Sequence, residues 1–273
     1  MKKFHCLIAF LGCISWFLAA DNICLAQDSI TVANEHLVIN AQIERLKSSA
    51  VETRREAVHQ LLILENAVAS RAAVSALRDK SEIIRATAAK ACAILPGDEA
   101  AFHLTPILVR DKSEFVRREA VFALGQAWSQ AAVLSLIQVL QKDKKLSVRA
   151  AAAIALGKIA DARSVAPLST VLLAKRPKKK KTLTELEFVK RSAARALGET
   201  RLKSAVPALI ASLQNAANAD DIRREAAFAL GLIADKAAIP ALTENLQAAD
   251  YILAETAKNA LQRIENSVVI HSN

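Results

Sequence analysis

A ten-residue phrase recurs seven times along this chain, and its period restricts the possible folds more than any other feature. The stretch from Val116 to Gly125 returns almost letter for letter from Ile222 to Gly231. Aligning every copy on its central alanine gives Ala57, Ala88, Ala120, Ala152, Ala193, Ala226 and Ala257, at spacings of 31, 32, 32, 41, 33 and 31. A unit of about thirty residues is too small to bury its own apolar face, so such units stack on one another into a solenoid with a continuous core.

Each unit reads as two helices. At about 100° per residue, Val116, Ala120, Ala123 and Leu124 fall on one apolar stripe, the core face of a helix designated B. A first helix, A, precedes it: Ala131 to Gln141 with Val133, Leu136, Ile137 and Leu140 at helical spacing, and Val206 to Gln214 likewise. Pro106, Pro167, Pro207 and Pro240 are expected early in their A helices, where a missing N–H costs least. Gly125, Gly157, Gly198 and Gly231 are expected to end their B helices as left-handed caps. Aromatic residues are only 4% of a chain that is 53% hydrophobic, so the helices must approach closely over small side chains.

The pattern Asp-x-x-x-x-Val-Arg-x-x-Ala-x-x-Ala-Leu-Gly, at Asp111 to Gly125 and at Asp143 to Gly157, resembles HEAT-like repeats of the phycobilisome-lyase class over roughly residues 34–266. That resemblance implies an all-α, right-handed α-solenoid of about seven HEAT-like hairpins, with helix B lining the concave surface. Within it, Asp79, Asp111 and Asp143 stand six residues before Arg85, Arg117 and Arg149, and Arg54, Lys190 and Arg223 continue the basic column. A group repeated in every unit serves the unit, so these residues are expected to form a structural ladder between neighbours.

Function is therefore sought where the copies differ. The positions two before and two after the central alanine lie four apart, stacked on the face opposite the core. Down the solenoid they read Arg55 and His59, Ala86 and Lys90, Arg118 and Phe122, Ala150 and Ile154. The column goes on through Arg191 and Arg195, Arg224 and Phe228, and Glu255 and Asn259. Cations mixed with exposed phenylalanine suit a partner's acidic and apolar groups. The other irregularity is the 41-residue spacing. It contains Lys175, Arg176, Lys178, Lys179, Lys180 and Lys181 around Pro177, an expected basic loop near 175–184 suited to anionic contacts.

Residues 1–26 differ in kind. Lys2 and Lys3, the apolar run Leu7 to Ala20 and the small-residue end at Ala26 read as a secretory signal, leaving the solenoid over 27–273. The expected location is periplasmic or secreted; an uncleaved signal would instead anchor the protein in the inner membrane, its only route to a membrane. Losing this segment removes two Lys and one Asp, so the net charge goes from +10 to +9. Such a protein is drawn to anionic envelope surfaces. Beyond the leader only Cys92 remains, at a position where other copies carry leucine, and it reads as a core residue.

The sequence offers no catalytic constellation. His36, His59, His103 and His271 have no ligand spacing, and neither a phosphate loop nor a nucleophile elbow is present. Deoxyhypusine hydroxylases, which share the HEAT-like resemblance, bind iron through His-Glu pairs where this chain reads Arg55-Glu56, Arg118-Glu119 and Arg224-Glu225. Arginine cannot ligate iron, so neither a metal nor a cofactor is expected. The expectation is a monomeric, non-enzymatic scaffold for a protein partner. Alternatives are a lyase-like or chaperone-like protein acting on a bilin or other tetrapyrrole, and a nucleic-acid-binding HEAT-like protein, which export disfavours.

Overall fold

The computed structural model describes residues 33–175 and 180–271, without the side chains of 180–183 and 268–271. The expected leader and residues Arg176, Lys178 and Lys179 of the basic run lie outside the described residues. Among those described there are fourteen α-helices and no strand. The A helices are α1 (33–45), α3 (Ala67–Ala73), α5 (Gly97–Arg110), α7 (Val133–Lys142), α9 (Val165–Leu172), α11 (Val206–Gln214) and α13 (Ile239–Glu244). The B helices are α2 (Val51–Ile63), α4 (Glu82–Ala91), α6 (Glu114–Gln126), α8 (Leu146–Ile159), α10 (Lys180–Glu199), α12 (Asp220–Ile233) and α14 (Tyr251–His271). The fold is an all-α solenoid of seven hairpins.

The apolar stripe of the B helices is the spine of the core. All seven central alanines are completely buried, and so are Cys92, Leu124, Leu156, Leu197 and Leu230 one turn further on. Cys92 occupies a leucine position, and burial pushes its thiol pKa up to about 12. Consecutive B helices pack along their lengths, whereas consecutive A helices touch only in passing. The row of B axes is therefore the shorter one, and the wall it forms is concave.

The conserved glycines of the phrase do not cap the helices. No described glycine has a positive φ. Gly125, Gly157, Gly198 and Gly231 lie inside their helices, against alanines of the next B helix. A Cβ built on Gly157 would stand 2.6 Å from Ala196 Cα, and one on Gly198 2.7 Å from Ala229 Cα. Close approach between B helices, and not chain reversal, requires the missing side chain. Left-handed backbone comes three residues later, at Trp128, Ala160, Arg201 and Ala234, with φ between 51 and 58. Glu65 occupies the equivalent place in the first repeat.

Two other expectations change. Pro207 and Pro240 do start their helices, but Pro106 lies inside α5. Its helix begins early, at Gly97, and the proline sits on the exposed side, where the carbonyl it cannot bond is left to solvent. The long spacing is absorbed largely by helix: α10 runs for 20 residues, so Lys180 and Lys181 open a helix and do not belong to a loop ending near 184. Lysine, leucine and glutamate are good helix formers, and the segment after Pro177 is rich in all three.

Candidate functional site: the helix-B wall

Each A–B turn is built around an aspartate. Asp79, Asp111 and Asp143 accept hydrogen bonds from the amides of Ser81, Ser113 and Lys145, shaping the turn into the next B helix. Each also receives an arginine from the preceding repeat: Arg54 to Asp79 at 2.6 Å, Arg85 to Asp111 and Arg117 to Asp143 at 2.7 Å. The second arm of Arg85 donates to the carbonyls of Asp79 and Lys80, so one side chain ties its own turn to its neighbour's. The Arg54 hydrogen bonds hold the Asp79 carboxyl below its ordinary pKa. For Asp111, burial opposes the same effect, but the Arg85 and Ser113 hydrogen bonds and the charges of Arg85 and Arg117 outweigh it.

This ladder stops at the interrupted repeat. Arg149 donates instead to the Leu140 carbonyl at 2.7 Å. Beyond it asparagine replaces aspartate: Lys190 reaches Asn218 and Arg223 reaches Asn245.

On the concave wall, the two positions flanking each central alanine behave differently. The earlier one faces the seam with the following repeat. Ala86 and Ala150, expected on the exposed face, are only 1% exposed because of this. In two of the four copies where the position holds arginine the side chain crosses the seam: Arg191 reaches Asp221 at 3.2 Å, and Arg224 grips Asp250 through two hydrogen bonds of 2.6 and 2.8 Å. Arg55 pairs with Glu52 on its own helix. The later position is the one that faces outward, presenting His59, Lys90, Phe122, Ile154 and Arg195 to solvent.

The wall divides into two regions. Towards the C-terminus its groups satisfy one another: Arg195 pairs with Glu225 at 2.7 Å, and the half-buried Phe228 ring lies between the Arg195 and Arg263 guanidinium groups. Phe188 lies 5.4 Å from the Arg191 guanidinium and is 44% exposed; with Ile154 it lines a groove of about 430 Å³ whose arginines, Arg191, Arg195 and Arg224, are paired with carboxylates. In the middle, Phe122 and Ile154 are 44% and 47% exposed and form the floor of a groove of about 340 Å³ between α6 and α8. Gly125, Ala151 and Ala155 complete the floor; Lys90, Arg118 and Lys158 stand at its rim beside a single carboxylate, Glu119. Arg118 rests over the Phe115 ring and approaches Glu119 only to 3.8 Å.

Lys158 was not singled out by the sequence. It contacts Gln126 of the preceding repeat and lies 5.7 Å from the Trp128 ring centre. Its signal was available as a sixth-position row after the central alanine, which holds Gln126, Lys158 and Arg263. Among the described residues no cluster of His, Cys, Asp and Glu could hold a metal ion. Their buried side-chain polar atoms all have hydrogen-bond partners.

With this geometry in view, the comparisons with known proteins are consistent. No curated protein sequence gives a match. Among solved structures, the CpcE–CpcF complex of the phycocyanin lyase from Nostoc sp. PCC7120 is similar at 22% identity, covering 84% of this chain and 94% of that one, with a TM-score of 0.50. An engineered protein is similar at 21% identity over 83% of this chain and 68% of its own, also at 0.50. Human deoxyhypusine hydroxylase aligns at 20% identity over 84% of both chains, with a TM-score of 0.42. These similarities concern the fold. The HEAT repeats family matches residues 102–186 and 185–262, more than half the chain, and the protein with its seven stacked hairpins belongs to that family.

Proposed function

We propose that the protein is a non-enzymatic scaffold that holds a protein partner in the groove between α6 and α8, and that it works in the cell envelope. HEAT repeats generally mediate protein interactions, and the observation that supports this site is the contrast along the wall. Arg191, Arg195 and Arg224 are bound to carboxylates of the same chain, so the C-terminal half offers little free charge. The central groove keeps an apolar floor and three rim cations against one carboxylate. Its occupant is a segment of a protein that places an apolar side chain on Phe122 and Ile154 and acidic groups beside Lys90 and Lys158. Desolvating such a pair of apolar residues inside a charged rim is the usual composition of an interaction hot spot.

The leader expected over residues 1–26 motivates the envelope location, and fractionation of native cells tests it directly: recovery in the cytoplasm would end that part of the proposal. The basic run from Lys175 to Lys181 would assist by attraction to an anionic surface. For the groove, Lys90→Glu combined with Phe122→Ser in the full-length tagged chain should reduce the cross-linked partner recovered from native cells by about tenfold or more. Phe102→Ser, on the exposed side of α5, should leave recovery unchanged. Equal recovery from both variants would contradict the assignment.

A further inference from the structure

The A–B turns of successive repeats lie side by side along one edge of the solenoid, joined by the aspartate–arginine ladder. That ladder has an electrostatic consequence. Asp79, Asp111 and Asp143 are all consumed by arginines and are nearly buried, with side chains 10%, 6% and 7% exposed. Of the lysines in the same turns, Lys145 pairs with Glu114 at 2.9 Å and the others are left over. Lys80, Lys112, Lys142, Lys144 and Lys175 are exposed, and none has a carboxylate partner among the described residues. Lys112, Lys142 and Lys144 converge on one open depression of about 460 Å³ across the third and fourth turns.

The opposite edge, formed by the B–A turns, is arranged otherwise. There Arg71 pairs with Glu99, Arg163 with Asp161 and Lys203 with Asp235. Arg201 and Lys236 are exposed there as well, but they do not share one depression, so the lysines are clustered on the A–B edge.

Apolar side chains accompany the lysines. Ile83 and Phe115, second residues of α4 and α6, and Val109 and Leu173, at the ends of α5 and α9, are exposed along the same edge by 39–64%. At 8–10 Å per repeat, the strip from the second turn to the end of α9 is roughly 30 Å long. Alternating lysines with protruding aliphatic groups on a row of loop tips is the chemistry of a surface that rests on lipid headgroups, with the cations at the phosphates and the apolar ends at the acyl boundary. Nucleic acid would be served by the lysines but would leave Ile83, Val109 and Leu173 without a role, since bases stack on aromatic rings.

From this we infer that the A–B edge of repeats two to four, continued by Leu173 and Lys175 at the end of α9, is a docking surface for an anionic lipid bilayer. It stands the solenoid on its edge on the membrane and leaves the concave wall facing sideways, open to a partner. The inference rests on the edge residues alone and not on the groove between α6 and α8.

The test uses the full chain and sedimentation with vesicles of phosphatidylglycerol and phosphatidylcholine. Lys112→Glu, Lys142→Glu and Lys144→Glu together should lower partition onto phosphatidylglycerol-rich vesicles by about tenfold or more, each lysine near an anionic surface contributing severalfold. Arg201→Glu, Lys203→Glu and Lys236→Glu, an equal change of charge on the opposite edge, should lower it by less than about threefold, through net charge alone. Val109→Ser with Ile83→Ser should weaken binding at high salt, where screening has removed most of the lysine contribution. Because every variant carries the same N-terminal segment, that segment cannot produce the difference. Equal losses from the two charge-reversed variants would overturn the inference, as would unaltered binding after edge reversal. The Lys90→Glu, Phe122→Ser variant should bind vesicles normally, so failure of the groove and failure of the edge give different results.

Discussion

At the scale of single residues, the recurring glycine shows how a plausible assignment can have the wrong cause. Its regular place near the end of helix B suggested a cap, and composition alone could not distinguish a cap from a contact. The distinction depends on where the next repeat sits, which no local pattern contains. Gly157→Ala should destabilise the protein by about 1–3 kcal/mol, because the new methyl group meets the backbone of Ala196 at 2.6 Å and neither helix can yield freely. Ala160→Gly should do the reverse, raising stability by about 1 kcal/mol, since Ala160 carries a φ of 58 that glycine adopts without strain. Urea unfolding of the two variants measures both effects, and the account fails if Gly157→Ala proves neutral. The buried leucines and alanines, by contrast, were legible from spacing alone, because a helical period of 3.6 assigns each to the core without knowledge of neighbours.

At the scale of elements, the hairpins follow from the sequence, while their lengths and junctions depend on context. Pro106 shows this: its position relative to the helix start was set by an early N-terminus at Gly97, not by the proline. Pro106→Ala should restore the hydrogen bond to the Phe102 carbonyl and stabilise the protein by about 1 kcal/mol or more, read as a higher denaturation midpoint. The ladder that joins elements makes a prediction about pH. Asp79 and Asp111 have lowered pKa values in the folded chain, so they bind fewer protons folded than unfolded as the pH approaches 4. Their contribution is complete above about pH 5 and is lost as pH falls through the lowered folded values. Asp111→Ala should therefore cost about 2 kcal/mol at neutral pH, and its deficit should shrink below about pH 3. A deficit that stayed constant from pH 7 to pH 3 would contradict the ladder's role. The pairing of each aspartate with the arginine of the preceding repeat was implied by register; the change to Asn218 and Asn245 was not, because neither stands six residues before a basic residue of the column.

At the scale of the whole molecule, stacking sorts the charged residues by destination. The repeated ladder groups are paired across turns, whereas the varying positions divide into cations paired across seams and cations left exposed. Variation among the copies pointed to the whole helix-B column, Phe122 and Ile154 included, but it could not reveal that Arg191, Arg195 and Arg224 are occupied within the chain, since their carboxylates lie 26 to 30 residues away. The result is a solenoid with two separate surfaces, an amphipathic groove on the concave wall and a basic edge. The most direct test of the groove is a photoreactive amino acid placed at position 122 or 154 in native cells, with positions 102 and 134 on exposed faces of α5 and α7 as controls. The account predicts one discrete adduct with a single protein from both wall positions, lost when Lys90→Glu is added, and no such adduct from the controls. Identical adducts from 102 and 134, or none from 122 and 154, would contradict it.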